Sequence, residues 1–215
     1  DGVTAWLAYL VWSLSPQAGG QESSTRYIRL VPEGLAAPGT IGLAAGDHEA
    51  WRQAMQAAFG HYQALERGWE ALAEAAPGRL RIPTALLRDE SPKGQRQIAR
   101  MRRNYAFDRA RYLLPAAALT NLMLVMSARA WAALCQQLDA SPLPEARALA
   151  AAIRGELALG APRLLRHAVA TEAARRGQAD AFAACVAAAR RGLPAPLARE
   201  TGSADHPDTA SLDVM

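Results

Sequence analysis

Gln21-Glu22-Ser23-Ser24-Thr25-Arg26-Tyr27-Ile28-Arg29-Leu30-Val31-Pro32 is the stretch on which the fold turns. Arg26 to Val31 is β-branched and aromatic enough for a short strand, and Pro32, which has no donor for a ladder, stops it. Upstream, the apolar residues 1–14 read as helix or strand and lead into a turn over Pro16–Gly20. Strand side chains alternate, so Glu22, Ser24 and Arg26 share one side. A hydroxyl beside a planar guanidinium can grip a phosphate, while Glu22 can accept from a sugar hydroxyl or orient Arg26. A plain solvated strand edge with an Arg–Glu pair has the same composition.

Downstream the pattern turns helical. Trp51, Met55, Phe59, Tyr62, Leu65, Trp69 and Leu72 recur at spacings of three and four, which predicts an amphipathic helix from an N-cap at Asp47 to Pro77-Gly78. Ser91-Pro92 predicts the next start. That helix carries Lys93, Arg96, Arg100, Arg102, Arg103, Arg109 and Arg111. Asp108 and Arg111 are neighbours at i,i+3, so the carboxylate can fix the guanidinium fork for an anion; a surface ion pair is the plainer alternative.

Pro115 marks a boundary, and Leu119, Leu122, Met123, Met126, Leu134 and Leu138 make the next apolar stripe, so that the long apolar run Tyr112–Cys135 reads as a buried amphipathic helix. Arg129 inside it needs a partner or a helix edge. Ser141-Pro142 predicts another start, and two Ala-rich, Arg-edged helices reach Gly192. Residues 1–192 thus read as a single domain and 193–215 as a flexible tail. Periodicity alone gives a mostly helical chain. With the strand it becomes α+β, predominantly helical, with a small sheet around Arg26–Val31 and the N-terminal segment, flanked by long helices.

An apolar share of 51%, a charged share of 20% and a net charge of +4 describe a globular protein that favours anionic ligands. Cys135 and Cys185 stand alone and the four histidines are scattered, which argues against a disulfide and against a protein-ligated metal and points to a cytoplasmic chain. GxGxxG, GxxxxGK[ST] and GxSxG do not occur. The long apolar run from Tyr112 carries Pro115, Asn121 and Arg129, so a membrane span is not expected. The basic helix 93–111 admits nucleic acid, but it has few stacking aromatics and no helix-turn-helix or finger signature. A solvated face, an oligomer contact or a wall for an anionic ligand explains it better.

Residues 14–27 resemble the RHRxxSxNExSxRY motif of the flavin-dependent thymidylate synthases: Glu22, Ser24, Arg26 and Tyr27 match, and Gln21 stands for Asn. Further on, the family shows E-x-A-R-x-x-L-P, then N-A-R, then L-R-x-D. Here the text is Asp108-Arg-Ala-Arg111-Tyr-Leu-Leu-Pro115, Ser127-Ala128-Arg129 and Gln136-Gln137-Leu138-Asp139, in the same order and without a gap. The resemblance implies that Ser24, Arg26 and Arg111 grip the phosphate of dUMP or UMP, with Glu22 near the sugar and Gln137 where the family has a uracil-contacting arginine. It also implies FAD, with Ser127 and Arg129 at the flavin site, and NADPH and methylenetetrahydrofolate as co-substrates. Family members are homotetramers with sites between subunits, and their reaction methylates C5 of the uracil.

This chain departs from the family in the cofactor half. The Arg-His-Arg that lies against the flavin is Leu14-Ser15-Pro16, and the flavin-contacting Asn is Ser127. A neutral Gln137 stabilises developing anionic charge less well than arginine. Three readings follow: a divergent uridine-nucleotide methylase, a noncatalytic nucleotide-binding or assembly paralogue, and a basic helical nucleic-acid-binding domain.

Overall fold

Thr4 makes the first junction of the chain. It ends a two-residue strand, β1 (Val3–Thr4), and caps helix α1 (Ala5–Leu14). Its hydroxyl accepts from the Leu7 N–H at 3.0 Å, satisfying one of the donors that a helix start leaves without an intrahelical partner. The computed structural model describes residues 2–24 and 30–192. The apolar opening is therefore helix, with Leu7, Ala8 and Val11 buried.

The strands form two small two-stranded sheets, where the sequence predicts a single one. Strand β2 (Gly19–Glu22) pairs antiparallel with β4 (Leu122–Val125), and β1 pairs antiparallel with β3 (Leu119–Thr120). Leu35 adds a bridge to Ala118. Of the expected strand, residues 26–29 lie outside the described residues, and Leu30 and Val31 are in no strand. The N-terminal segment contributes only Val3 and Thr4.

The apolar run after Tyr112 also departs from the helix its composition predicts. A 3-10 turn (Arg111–Leu113) and the two strands β3 and β4 come first, and helix α5 (Ala128–Ala140) starts only afterwards. The reason is periodicity. Leu122 and Leu124 turn inward while Met123 and Val125 stay exposed, a period of two that a helix cannot use.

Between the ribbon strands lies a long antiparallel helix pair, α2 (His48–Ala75) and α4 (Pro92–Ala110), joined through a single turn of helix, α3 (Thr84–Leu87). Phe59, Tyr62 and Ala110 form its buried contact, with Leu30, Leu35 and Leu114 packed around them. Trp69 meets Tyr105 edge-to-face at 6.2 Å. The Ser91-Pro92 start holds, since Ser91 accepts from Gly94 N–H at 3.1 Å. Asp47 makes no side-chain cap; α2 runs on from a 3-10 turn at Ala45–Asp47.

Helices α5 and α6 (Pro144–Gly160) form a second hairpin, which packs on α1 through Leu134, Cys135, Leu138, Ala146 and Ala150. The helix expected from Ser141 begins at Pro144, because the Ser141 hydroxyl accepts from Leu143 N–H at 3.2 Å and makes a local turn first. A 3-10 segment (Pro162–His167) and α7 (Glu172–Gly192) complete the described chain. The expected tail, 193–215, falls outside it. The architecture is α+β and predominantly helical.

Asp139 ties this half together. Its carboxylate accepts from Arg154 on α6 and Arg175 on α7 at 2.8 Å each, and from the Ala170 N–H at 2.9 Å. Burial pushes its pKa up, but the Ala170 N–H and the two guanidinium groups outweigh that and hold it at about 2.

Candidate functional site

Where α4 ends, the chain turns back toward α1 and the ribbon, and that turn creates a cavity. The Ala5 and Trp6 N–H groups donate to the carbonyls of Ala118 and Ala116 at 2.8 and 3.0 Å, and Ala36 N–H donates to Ala117 at 3.0 Å. Residues 115–120 are thereby pinned from both sides. Arg111, the residue that closes α4, stands just before that segment, where a cation also suits the negative end of the helix.

The opposite wall comes from β2. The antiparallel register sets Glu22 against Leu122, and Ser23 N–H donates to the Asn121 carbonyl at 3.0 Å, extending the pairing one step. The resulting cavity, about 280 Å³, has a polar rim of Glu22, Ser23, Ser24, Arg111, Thr120 and Asn121 over an apolar floor that includes Leu30, Leu114, Pro115 and Ala118. Thr120 donates its hydroxyl to Glu22 Oε1 at 3.4 Å. The Arg111 guanidinium lies 5.5 Å from the exposed Tyr112 ring. A second cavity of about 350 Å³, lined by Gln21, Glu22, Ser23, Asn121, Leu122 and Met123, shares three wall residues with the first.

Of the residues singled out in the sequence, Glu22, Ser24 and Arg111 line this one cavity although Arg111 is far from the other two in the chain. Arg26 lies outside the described residues. Ser127, Arg129 and Gln137 do not line either cavity. Ser127 caps α5, accepting from Ala130 N–H at 3.2 Å. Arg129 is exposed on the first turn of that helix, at its edge, with no ion pair among the described residues. Gln137 is exposed on α5, where its carbonyl faces Gln178 at 3.4 Å.

Thr120 and Asn121 are the site residues that the sequence reading passed over. Their signal was present: a polar pair interrupting an apolar run, at the point where β3 gives way to β4.

The basic helix α4 divides its charges. Arg109 lies over the Tyr105 ring at 3.3 Å, near Trp69 at 5.6 Å, and donates to the Tyr105 carbonyl at 3.0 Å. Arg102 reaches Glu74 at 3.3 Å. Both are committed to holding α4 on α2. Lys93, Arg96, Arg100 and Arg103 are exposed to solvent, and of the arginines on this stretch only Arg111 meets the cavity.

Neither cysteine serves the cavity. Cys135 is buried and donates its thiol to the Ala150 carbonyl at 3.1 Å. Burial, above all, raises its pKa, so it is the reverse of an activated thiolate. Cys185 is exposed on α7. Among the described residues no group of three or more His, Cys, Asp or Glu side chains could hold a metal ion, and no helix is long and apolar enough to cross a membrane.

Donors that suit a dinucleotide diphosphate gather at the start of α5. They are the cationic Arg129, the Ser127 hydroxyl proton and the first-turn N–H groups other than that of Ala130, which Ser127 caps. Beside them Met126, Ala128 and Trp131 enter the wall of an apolar cavity of about 540 Å³. The Leu14-Ser15-Pro16 segment brings no cation for the ring end of such a group.

The profile of the protein family described as Thymidylate synthase complementing protein matches residues 18–163. That span runs from β2 through α6 and contains every residue that lines the two polar cavities except Ala5. A search of curated proteins finds no match.

Proposed function

Because the chain belongs to the thymidylate synthase complementing protein family, the flavin-dependent thymidylate synthases, we propose that it methylates C5 of a uridine 5′-monophosphate, dUMP or UMP, with the carbon drawn from methylenetetrahydrofolate. One observation carries this reading: Glu22, Ser24 and Arg111 line a single cavity of about 280 Å³. Arg111 supplies a fixed positive charge and a fork of donors for the phosphate. Ser24 supplies a hydroxyl on the same rim. Glu22, an acceptor held by the Thr120 hydroxyl, takes a sugar hydroxyl, and Arg26 joins the phosphate grip.

Ser127 and Arg129 would hold FAD by its diphosphate. When bound, FAD reduced by NADPH supplies the reducing equivalents that the methylation needs. The protein's own work is to bind and orient: the charged rim fixes the phosphate and sugar of the nucleotide over the apolar floor of the first cavity. No cysteine nucleophile takes part, in keeping with the burial of Cys135. The working unit is a cytoplasmic homotetramer, in which Gln137 and the α5 residues reach the nucleotide from a neighbouring copy.

A second reading, a noncatalytic nucleotide-binding or assembly paralogue, draws on one observation: residues 14–16, Leu-Ser-Pro, carry no cation. Purified protein separates the two. Titration calorimetry with dUMP and UMP, then a flavin absorbance scan and a methyl-transfer assay with NADPH, FAD and methylenetetrahydrofolate, gives three answers. Nucleotide binding with flavin and turnover is expected. Nucleotide binding without flavin uptake selects the paralogue, and binding of neither removes both.

A further inference from the structure

Within its own copy Gln137 lines neither polar cavity, so the contact that this copy itself makes to the base falls to another residue. We propose that Asn121 reads the base, selecting a keto pyrimidine over an amino pyrimidine through its side-chain amide. The inference rests on the nucleotide reading above and adds the residue that sets base choice. Asn121 belongs to both polar cavities, as do Glu22 and Ser23. A nucleotide whose phosphate lies at Arg111 and whose sugar lies at Glu22 therefore extends its base past Asn121 into the second cavity.

The polarity of that amide is fixed by the protein. The Gly2 N–H donates to Asn121 Oδ1 at 3.1 Å. A backbone N–H can only donate, so the atom that faces it must be the oxygen. Asn121 Nδ2 has no hydrogen-bond partner among the described residues, so the side chain offers a ligand two donors and no acceptor on that atom. Uracil presents carbonyl oxygens at positions 2 and 4, and the position-4 carbonyl accepts from such a donor. Cytosine presents an amino group at position 4, and donor would meet donor. Asn121 is thus a specificity residue, distinct from the phosphate clamp.

Calorimetric titration of the full chain with dUMP, dCMP and deoxyribose 5-phosphate tests this, alongside Asn121→Asp and Asn121→Ala. Asn121→Asp keeps the acceptor for Gly2 and replaces the donor with a second acceptor, so folding is preserved; circular dichroism checks it. The wild type is expected to bind dUMP about tenfold tighter than dCMP, the scale of one hydrogen bond. Asn121→Asp should erase or invert that ratio, and Asn121→Ala should bring it near parity, with deoxyribose 5-phosphate affinity unchanged in Asn121→Ala. An equal dUMP and dCMP affinity in the wild type, or a ratio unmoved in Asn121→Asp, overturns the role of Asn121 and leaves the clamp standing. Failure of all three ligands to bind the wild type overturns the nucleotide reading as well.

Discussion

The Glu145 carboxylate takes both donors of Thr4: its backbone N–H and its hydroxyl each stand 2.8 Å from one carboxylate oxygen. Thr4 is buried, and it also caps α1 through Leu7. One contact thus joins the β1–α1 junction to the first turn of α6, where a carboxylate also suits the helix start. Removing the acceptor leaves a buried N–H and hydroxyl to find other partners. Glu145→Ala is expected to destabilise the fold by about 1–3 kcal/mol, read as a lower urea midpoint at unchanged slope.

Asp139 makes stability acid-sensitive in a defined window. Its folded pKa is about 2, against roughly 3.9 for an unperturbed aspartate. The folded value is the lower one, so its contribution is fully present above pH ~4 and fades as pH falls through the folded value near 2. The contribution is on the order of 2 kcal/mol. Chemical denaturation between those pH values should show wild-type stability falling more steeply than that of Asp139→Asn, the two curves converging at the acid end. Parallel curves would mean that the three-element clasp on Asp139 is not what sets this dependence.

Arg109 and Arg111 are two residues apart and serve different ends. Arg109 lies over the Tyr105 ring and near that of Trp69, so Arg109→Ala should cost about 0.5–2 kcal/mol of stability and leave nucleotide affinity near its wild-type value. Arg111 lines the cavity, and Arg111→Ala should abolish measurable dUMP binding while changing the melting temperature little. Calorimetry and thermal melts on both variants distinguish the roles. If dUMP affinity survives in Arg111→Ala, the phosphate clamp is wrong.

Much of this was legible in the sequence, for physical reasons that differ by region. The helix over His48–Ala75 declared itself through apolar spacing, and Ser91-Pro92 through cap chemistry. Glu22, Ser24 and Arg111 were singled out by residue type and order, but that they share a cavity follows from the β2–β4 register together with the pinning of residues 115–120 after α4. The strands β3 and β4 were missed because six residues are too few to overrule the apolar run around them. Asn121 was read only as a polar break in that run, since its role depends on a neighbour 119 residues away, Gly2. Ser127 caps α5 and Arg129 and Gln137 sit on it, and within a single copy none of the three lines the cavity.

Gly20 holds the ribbon that carries Glu22, and this gives a clean pair of variants. A Cβ at Gly20 would overlap the Met123 carbonyl oxygen on the paired strand and press on the Trp12 ring at 3.0 Å, whereas a Cβ at Gly19 would meet nothing within 4 Å. The carbonyl is backbone and cannot swing aside, so the strand must shift. Such overpacking costs about 1–3 kcal/mol. Because Glu22 lies two residues on, on the same strand, a displaced β2 also moves the acceptor held by Thr120. Gly20→Ala is therefore expected to lose dUMP affinity at least as sharply as it loses stability, while Gly19→Ala keeps both. Calorimetry at a temperature where both variants are folded isolates the binding effect. Equal affinity in the two variants would show that the β2–β4 register does not position Glu22 for the ligand.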